Sequence, residues 1–138
     1  MHYSEKEVRG LFMENPQGID LLVGEETGCL TADYGNTICL GEIPAVQKLV
    51  EFKNGRCILE ENKALIMISP DSYDIPTSMK AYLSASEAAF NCGLLVFPER
   101  PTIVNGYSGN FRYIIQNVSG ERVRILLGQP IAHVVFAF

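Results

Sequence analysis

The chain has 138 residues, of which 47% are hydrophobic and 20% are charged. This composition is typical of a globular protein, and the length favours a single domain over residues 1–138 with a substantial core. The net charge is −5 and the isoelectric point is about 5.0. A sequence-independent nucleic-acid binder needs clustered Lys and Arg side chains to displace phosphate counterions, so this charge argues against that class.

Targeting signals and metal motifs are also missing from the sequence. No apolar run reaches about eighteen residues, the length that a membrane-spanning helix needs, and the N-terminal segment is polar and charged, unlike a signal peptide. We therefore expect a cytoplasmic protein without membrane contact. The four cysteines form no Cys-x-x-Cys pair and have no neighbouring histidine, so we expect reduced thiols and no metal site.

The first predicted element is a helix over residues 4–13. Ser4 and Glu7 have the spacing of a capping box, in which each side chain accepts a hydrogen bond from the other residue's backbone N–H. Asn15 and Pro16 predict the end of this helix, because the residue before a proline avoids the helical conformation.

Most of the following sequence is typical of β-strands. Short runs of branched and aromatic residues alternate with Gly, Pro, Asn and Asp, and they predict strands over residues 19–23, 37–40, 45–52, 56–59 and 64–68. Asn54-Gly55 predicts a type I′ turn before the fourth of these strands.

One helical interruption is predicted in the second half of the chain. Ser84 and Glu87 again have capping-box spacing, and the alanine-rich segment that follows ends at Gly93. Further on, residues 118–121 predict a hairpin turn that joins strands over residues 111–117 and 122–127. The whole pattern predicts an all-β sandwich or jelly roll of about ten strands, with a short N-terminal helix and one short internal helix.

The most informative pattern lies between Ile103 and Phe136. Gly106-Tyr107-Ser108-Gly109 is a tight turn before strand-forming residues, and Gly128-Gln-Pro-Ile-Ala-His-Val-Val-Phe136 follows further along. These segments resemble the third and fourth motifs of the dCTP deaminase/dUTPase superfamily, and the chain is closer to dCTP deaminase. From Leu59 onward the family pattern can be laid along the sequence, so the resemblance implies a dUTPase-like distorted jelly roll.

The resemblance also implies which chemical groups this chain lacks. The family's phosphate-binding Arg-Ser-Ser-Leu-Ala-Arg motif falls on residues 86–91, where both arginines are replaced and Glu87 adds a negative charge. The catalytic aspartate falls on Val104 and the deaminase glutamate on Ile114, and neither of these side chains can transfer a proton. We therefore do not expect the family's reaction to run on these residues.

Part of the family's ligand pocket is retained in the sequence. The resemblance gives Tyr107 the place of the aromatic ring that packs on the deoxyribose, and Asn105 and Gly106 keep the turn whose backbone faces a base. Arg112 and Gln116 share one strand face by the period of two and form a polar rim. These five residues are the predicted ligand-binding candidates. The alternative is a solvated strand face, with the tyrosine packed in the core or at an interface.

Four further side chains are candidates with alternatives. Glu87 and Glu99 could supply carboxylates to a rebuilt active site, whereas the structural alternatives are helix capping for Glu87 and a loop ion pair between Glu99 and Arg100. His133 takes the place of a glutamine in the dUTPase motif, and it could act as a pH switch or as a structural histidine. Asp20 is expected to be chiefly structural.

Three functions remain open from the sequence. The favoured one is a non-catalytic homologue, a pseudoenzyme that binds a pyrimidine deoxynucleotide or a protein partner and acts as a regulator. The alternatives are a divergent dCTP deaminase or dUTP diphosphatase that uses Glu87, Glu99 or Asp71, and a structural trimer in a larger assembly. The resemblance implies a homotrimer with the apolar residues 134–138 at its interface. We expect no cofactor, and Mg²⁺ only through the phosphates of a bound nucleotide.

Overall fold

The computed structural model describes residues 1–25, 27–30, 40–41, 47–100, 103 and 106–138, which form eleven strands and two short helices. The helices are α1 (Glu5–Glu14) and α2 (Glu87–Asn91). The strands are β1 (His2–Tyr3), β2 (Ile19–Leu22), β3 (Thr27–Leu30), β4 (Gln47–Leu49), β5 (Arg56–Leu59), β6 (Ala64–Asp74), β7 (Lys80–Ala85), β8 (Leu94–Pro98), β9 (Ser108–Asn117), β10 (Val123–Leu126) and β11 (Pro130–Ala137). The predicted strand over residues 37–40 lies almost wholly outside the described residues.

The strands form three sheets. The largest has the order β4-β3-β6-β9-β8, and β1 joins it in parallel beside the end of β6. A second sheet has the order β2-β11-β7, and β10 pairs with β5 in a third. The prediction of an all-β fold with two short helices is therefore confirmed. Within the described residues no helix is long and apolar enough to cross a membrane.

Both helices have a serine as N-cap, but only one of the two predicted caps is correct. The capping box between Ser4 and Glu7 is present at the start of α1. The predicted cap at Ser84 is wrong, because β7 continues to Ala85 and keeps Ser84 paired with β11. The N-cap of α2 is Ser86, whose hydroxyl accepts the N–H of Ala89 at 3.1 Å. Glu87 is the first residue of α2 and not its cap.

The predicted hairpin between residues 111–117 and 122–127 is also wrong. β9 pairs with β6 and β8, whereas β10 pairs with β5 in another sheet. Asn117, which is fully buried, lies at the end of β9 where the chain changes sheet. Its side-chain amide donates to the backbone oxygens of Leu59 (3.1 Å) and Glu121 (2.6 Å), so it ties the loop to the end of β5. Its side-chain oxygen accepts from the N–H and hydroxyl of Ser119 at 3.0 and 2.7 Å.

A column of aromatic rings connects the core to the turn that carries the predicted pocket. Tyr3 stacks on Tyr73 with ring centroids 5.1 Å apart, and Tyr73 stacks on Phe111 at 4.5 Å. Phe111 in turn packs against Tyr107 at 6.3 Å. Stacked rings bury much apolar area, so this column anchors the start of β9 and the Tyr107 ring beside it.

The apolar C-terminal residues lie mostly within the subunit. Val134 and Phe136 in β11 are 0% and 2% exposed, so they belong to the core of this chain. Only Phe138, at 71% exposure, offers a large apolar surface, and its ring meets that of Phe12 edge-on. The prediction that residues 134–138 supply an interface therefore fails for the buried side chains, because alternate residues of a central strand pack inward.

Candidate functional site

Tyr107 is held in place by a tight turn before β9. Gly106 has a φ of +78°, a conformation that glycine adopts without steric cost. Its N–H donates to the Ile75 oxygen at 3.0 Å, and the Ile75 N–H donates back to the Tyr107 oxygen at 2.8 Å. The Tyr107 hydroxyl donates to the backbone oxygen of Asn110. The backbone and the side chain of Tyr107 are thus both fixed.

Tyr107 and Arg112 line the same hollow, which we name the tyrosine cleft. Its volume is about 190 Å³, and its walls are Pro98, Glu99, Arg100, Ile103, Tyr107, Phe111 and Arg112. Glu99 sits beside Arg112 because its N–H donates to the Arg112 backbone oxygen at 3.2 Å. The structure therefore brings together three of the predicted candidates: Tyr107, Arg112 and Glu99.

A second hollow lies next to it, and we name this one the apolar cleft. It has a volume of about 310 Å³ and is lined by Ile66, Phe97, Pro98, Glu99, Arg112, Tyr113 and Ile114. Ile114 stands between Ile66 and Phe97, its partners on the neighbouring strands. The position where the resemblance implies a proton-transferring glutamate is therefore packed between two apolar side chains, and Ile114 itself has no group that can transfer a proton.

Charges of both signs surround Tyr107. Burial and the nearby Glu99 carboxylate raise the pKa of the Tyr107 hydroxyl, while Arg112 and Arg100 oppose that rise. The hydroxyl therefore stays protonated at neutral pH. The predicted ion pair between Glu99 and Arg100 is not formed, and within the described part of the chain neither arginine takes part in an ion pair. Both guanidinium groups are free to meet an anion in the cleft.

The other carboxylate candidate lies elsewhere. Glu87 lines a wide surface hollow of about 940 Å³ together with Asp20, Ser84, Ala85, Ser86, Ala88, Phe90, Asn91, Pro130 and His133. Glu87 and Glu99 thus line different hollows, and the structure does not bring the two rebuilt-site candidates into one place. Glu87 instead shares its hollow with Asp20 and His133.

His133 is fixed between two hydrogen-bond acceptors. Its Nδ1 is 3.0 Å from the Asp20 carboxylate, and its Nε2 is 2.7 Å from the backbone oxygen of Gln17. Burial disfavours its charged form, but the hydrogen bonds to Asp20 and Gln17 outweigh burial and raise the pKa of His133 above its usual value. The protonated ring satisfies both acceptors, whereas a neutral ring can donate to only one of them.

This arrangement predicts that His133 stabilises the fold more strongly at lower pH. A group whose pKa is raised on folding contributes fully below its unfolded pKa, about 6.5, and loses that contribution as pH rises through the folded value. At about pH 5.5 we expect His133→Gln to unfold more easily than the wild type by about 1 kcal/mol, and at about pH 8.5 by less. Urea unfolding of both proteins at each pH measures the difference. A difference that grows with pH would contradict this account.

The remaining predicted residues do not meet in the tyrosine cleft. Asn105, like Val104, lies outside the described residues. Gln116 lies on the outer face of β9, which it shares with Arg112 and Ile114. It is roughly 13 Å along the strand from Arg112, and it lines neither named cleft. The Asp71 carboxylate is 3.1 Å from the Met1 amino group. The described residues contain no group of three His, Cys, Asp or Glu side chains that could hold a metal ion.

Sequence patterns did not reveal the apolar walls of the tyrosine cleft. Phe111 is fully buried by alternation along β9, and Ile103 bridges to Ala81 of β7 outside any strand. Phe111 follows an ordinary core pattern and Ile103 belongs to no periodic segment, so no local signal marks either side chain as part of a cleft. Pairing Glu99 with Arg112 would have needed the register of β8 against β9.

The sequence matches no protein-family model and no curated protein. Among solved structures, the fold is similar to that of 2′-deoxycytidine 5′-triphosphate deaminase from Agrobacterium tumefaciens, with a TM-score of 0.68 and 15% identity over 96% of this chain and 46% of that chain. It is also similar to the native EIAV dUTPase, with a TM-score of 0.48 and 18% identity over 59% of this chain and 66% of that one. The dUTPase of Staphylococcus bacteriophage 80alpha gives a TM-score of 0.48 and 19% identity over 62% and 75% of the two chains.

The likeness to the deaminase extends over nearly the whole chain and confirms the predicted dUTPase-like all-β fold. At 15% identity it establishes the fold and not the activity. The chain spans about half the length of that deaminase, since 46% of the deaminase chain is matched.

Proposed function

We propose that this protein is a non-catalytic relative of the dCTP deaminases and dUTPases that binds a nucleotide-like ligand in the tyrosine cleft. The observation that carries the proposal is the meeting of the Tyr107 ring with Arg100 and Arg112 around one cleft. An aromatic ring can pack on a sugar or base, and two unpaired guanidinium groups can meet a phosphate.

Two features support binding without turnover. Ile114 replaces the deaminase glutamate and is flanked by Ile66 and Phe97, so the outer face of β9 offers no proton acceptor at that position. At the start of α2, the side chain of Glu87 is exposed and negative where the family motif has a phosphate-facing hydroxyl. Like-charge repulsion there disfavours a triphosphate.

The proposal includes a homotrimer whose subunits meet near the named clefts. Leu95 and Phe97, on the outer face of β8, are 39% and 47% exposed and lie beside the half-buried Ile114. Apolar side chains grouped on one sheet face are suited to a subunit interface. Light scattering coupled to size-exclusion chromatography measures the mass, and a monomeric mass would remove this part of the proposal.

A divergent enzyme is a second candidate because Glu99 lines the same cleft as Tyr107 and Arg112. A carboxylate beside a bound base or sugar could act as a general base. Turnover of a nucleotide that disappears in Glu99→Gln would favour this candidate over pure binding.

The first test is a thermal-shift screen with dCTP, dUTP, dCMP, dUMP and thymidine nucleotides, with and without Mg²⁺. A ligand at a hundred times its dissociation constant should stabilise the protein by about 2.7 kcal/mol. Arg112→Gln should abolish that shift, whereas Gln116→Ala, on the same strand face but outside the cleft, should leave it intact. A product assay on each hit separates binding from turnover. No shift with any nucleotide would refute the proposed function.

A further inference from the structure

A second group of polar side chains lies on one face of the large sheet at the end of β6. His2 of β1 is the register partner of Ser72, and Ser108 of β9 is the partner of Asp74. Ser72 and Asp74 are two residues apart in β6, so their side chains point to the same face, while Tyr73 between them is buried. The pairing of three strands therefore collects these four side chains in one place.

Hydrogen bonds in this group link a serine to a histidine and that histidine to an aspartate. The Nδ1 of His2 is 2.6 Å from the Ser72 hydroxyl, and its Nε2 is 2.9 Å from one oxygen of Asp74. An ionised carboxylate can only accept, so in the neutral ring Nε2 carries the proton and donates to Asp74. Nδ1 is then left with a lone pair aimed at the hydroxyl of Ser72.

The aspartate is held in the orientation that this tautomer needs. The Ser108 hydroxyl donates to the other oxygen of Asp74 at 2.6 Å. The hydrogen bonds from Ser108 and His2 hold the pKa of Asp74 below its usual range. The carboxylate is therefore ionised at neutral pH and remains an acceptor for the His2 ring.

The other histidine of the chain provides an internal contrast. His133 also contacts an aspartate and has a serine, Ser84, as its register partner on β7. Its second ring nitrogen, however, is bound to the Gln17 backbone oxygen at 2.7 Å. That nitrogen is occupied, so His133 cannot accept a proton from Ser84, although the three residue types are the same.

We propose that Ser72 is a nucleophile activated by His2 and oriented by Asp74, and that it reacts with small esters that have good leaving groups. A nucleophile within hydrogen-bond reach of a base that a third group orients is the recognised arrangement for acyl transfer. This activity is independent of the nucleotide-binding proposal, because it uses none of the residues of the tyrosine cleft.

Ester hydrolysis at Ser72 would proceed in two steps, acylation and deacylation. The Ser72 oxygen forms a bond to the acyl carbon, its proton passes to Nδ1 of His2, and the bond to the leaving alcohol breaks as that alcohol takes the proton. Water then attacks the acyl-serine, passes a proton through the same nitrogen, and releases the acid and the free serine.

The substrate class follows from what the site supplies. The Ser72 N–H already donates to the Met1 backbone oxygen at 3.0 Å, so it is not free to stabilise an oxyanion. General-base assistance alone is worth about 10²–10⁴-fold in rate. Activated esters need little more than that assistance, whereas amides and peptides need a strong oxyanion hole.

A fluorophosphonate probe with mass spectrometry tests this assignment on the full chain carrying its tag at the C-terminus. Attack by Ser72 forms an oxygen–phosphorus bond and expels fluoride, so the probe remains on the serine. We expect labelling of Ser72 in the wild type and none in Ser72→Ala. Asp74→Asn should slow labelling, and His2→Ala should slow it about 10²-fold.

Two controls separate activation from a structural role. Ser84→Ala should leave the labelling rate unchanged, since its neighbouring histidine has no free nitrogen. Imidazole in solution should restore part of the rate lost in His2→Ala, because the missing base is then replaced. The proposal fails if the probe reacts with another serine, if no serine reacts, or if the rate in His2→Ala equals that of the wild type.

Discussion

Replacing Asn117 with alanine is expected to lower the free energy of unfolding by about 3–4 kcal/mol. The side chain is 0% exposed and makes four hydrogen bonds, two as donor and two as acceptor. Each bond contributes about 1 kcal/mol, and the backbone oxygen of the buried Leu59 loses its partner without gaining water. Urea unfolding monitored by circular dichroism measures the change.

Asn117→Asp serves as the matched control for this prediction. It keeps the size and the acceptor of the side chain but places a carboxylate against the backbone oxygens of Leu59 and Glu121. We expect it to be at least as destabilising as the alanine variant, because two donors are lost and a charge is buried. A cost below about 1 kcal/mol for both variants would mean that water replaces these bonds.

Gly93→Ala is the second substitution with a large expected effect. Gly93 has a φ of +76° at the end of α2, and a Cβ there would lie 2.7 Å from the Ser119 Cβ and 3.0 Å from its Cα. Backbone strain costs about 1–2 kcal/mol and overpacking about 1–3 kcal/mol. We expect a total loss of about 3 kcal/mol, measured by the same unfolding experiment.

Gly120 separates the two contributions to this loss. It has a nearly identical φ of +80°, but nothing lies within 4 Å of the Cβ that alanine would add. Gly120→Ala should therefore cost only the backbone strain, about 1 kcal/mol. Equal losses in the two alanine variants would show that the contact of Gly93 with Ser119 is not tight in solution.

Local signals in the sequence predicted local structure well. The start of α1 depends on two side chains three residues apart, and both hydrogen bonds of the predicted capping box are present. The Asn54-Gly55 turn likewise has positive φ at both residues, 53° and 73°, as a type I′ turn requires. In each case the interacting groups lie within one turn of chain, so the sequence contains the whole interaction.

The prediction failed where the partner of a strand is distant. Residues 118–121 separate two strands, as predicted, but those strands, β9 and β10, join different sheets. β10 pairs with β5, more than 60 residues earlier in the chain, and the contact of Asn117 with the Leu59 backbone accompanies that pairing. A local pattern of alternation cannot specify a partner at that distance.

The candidate site shows the same difference between local patterns, which the sequence reveals, and distant contacts, which it does not. The resemblance singled out Tyr107 as a candidate because this residue lies in a continuous motif. It did not identify Arg100 and Ile103 as walls of the tyrosine cleft. It also could not show that Glu99 lines this cleft whereas Glu87 lines a different hollow. Those assignments follow from tertiary packing between distant segments. The His2–Ser72 contact spans 70 residues and is equally invisible to any motif.

The position of β11 has a consequence for how this protein is made. β11 lies between β2 and β7 in the three-stranded sheet, and those two strands pair with β11 but not with each other. During translation, residues 19–22 and 80–85 emerge from the ribosome before residues 130–137. β2 and β7 therefore have no partner in this sheet until β11 has been synthesised. Until then both strands present open edges, which favour aggregation. The nascent chain is therefore expected to be most prone to aggregation before β11 has emerged.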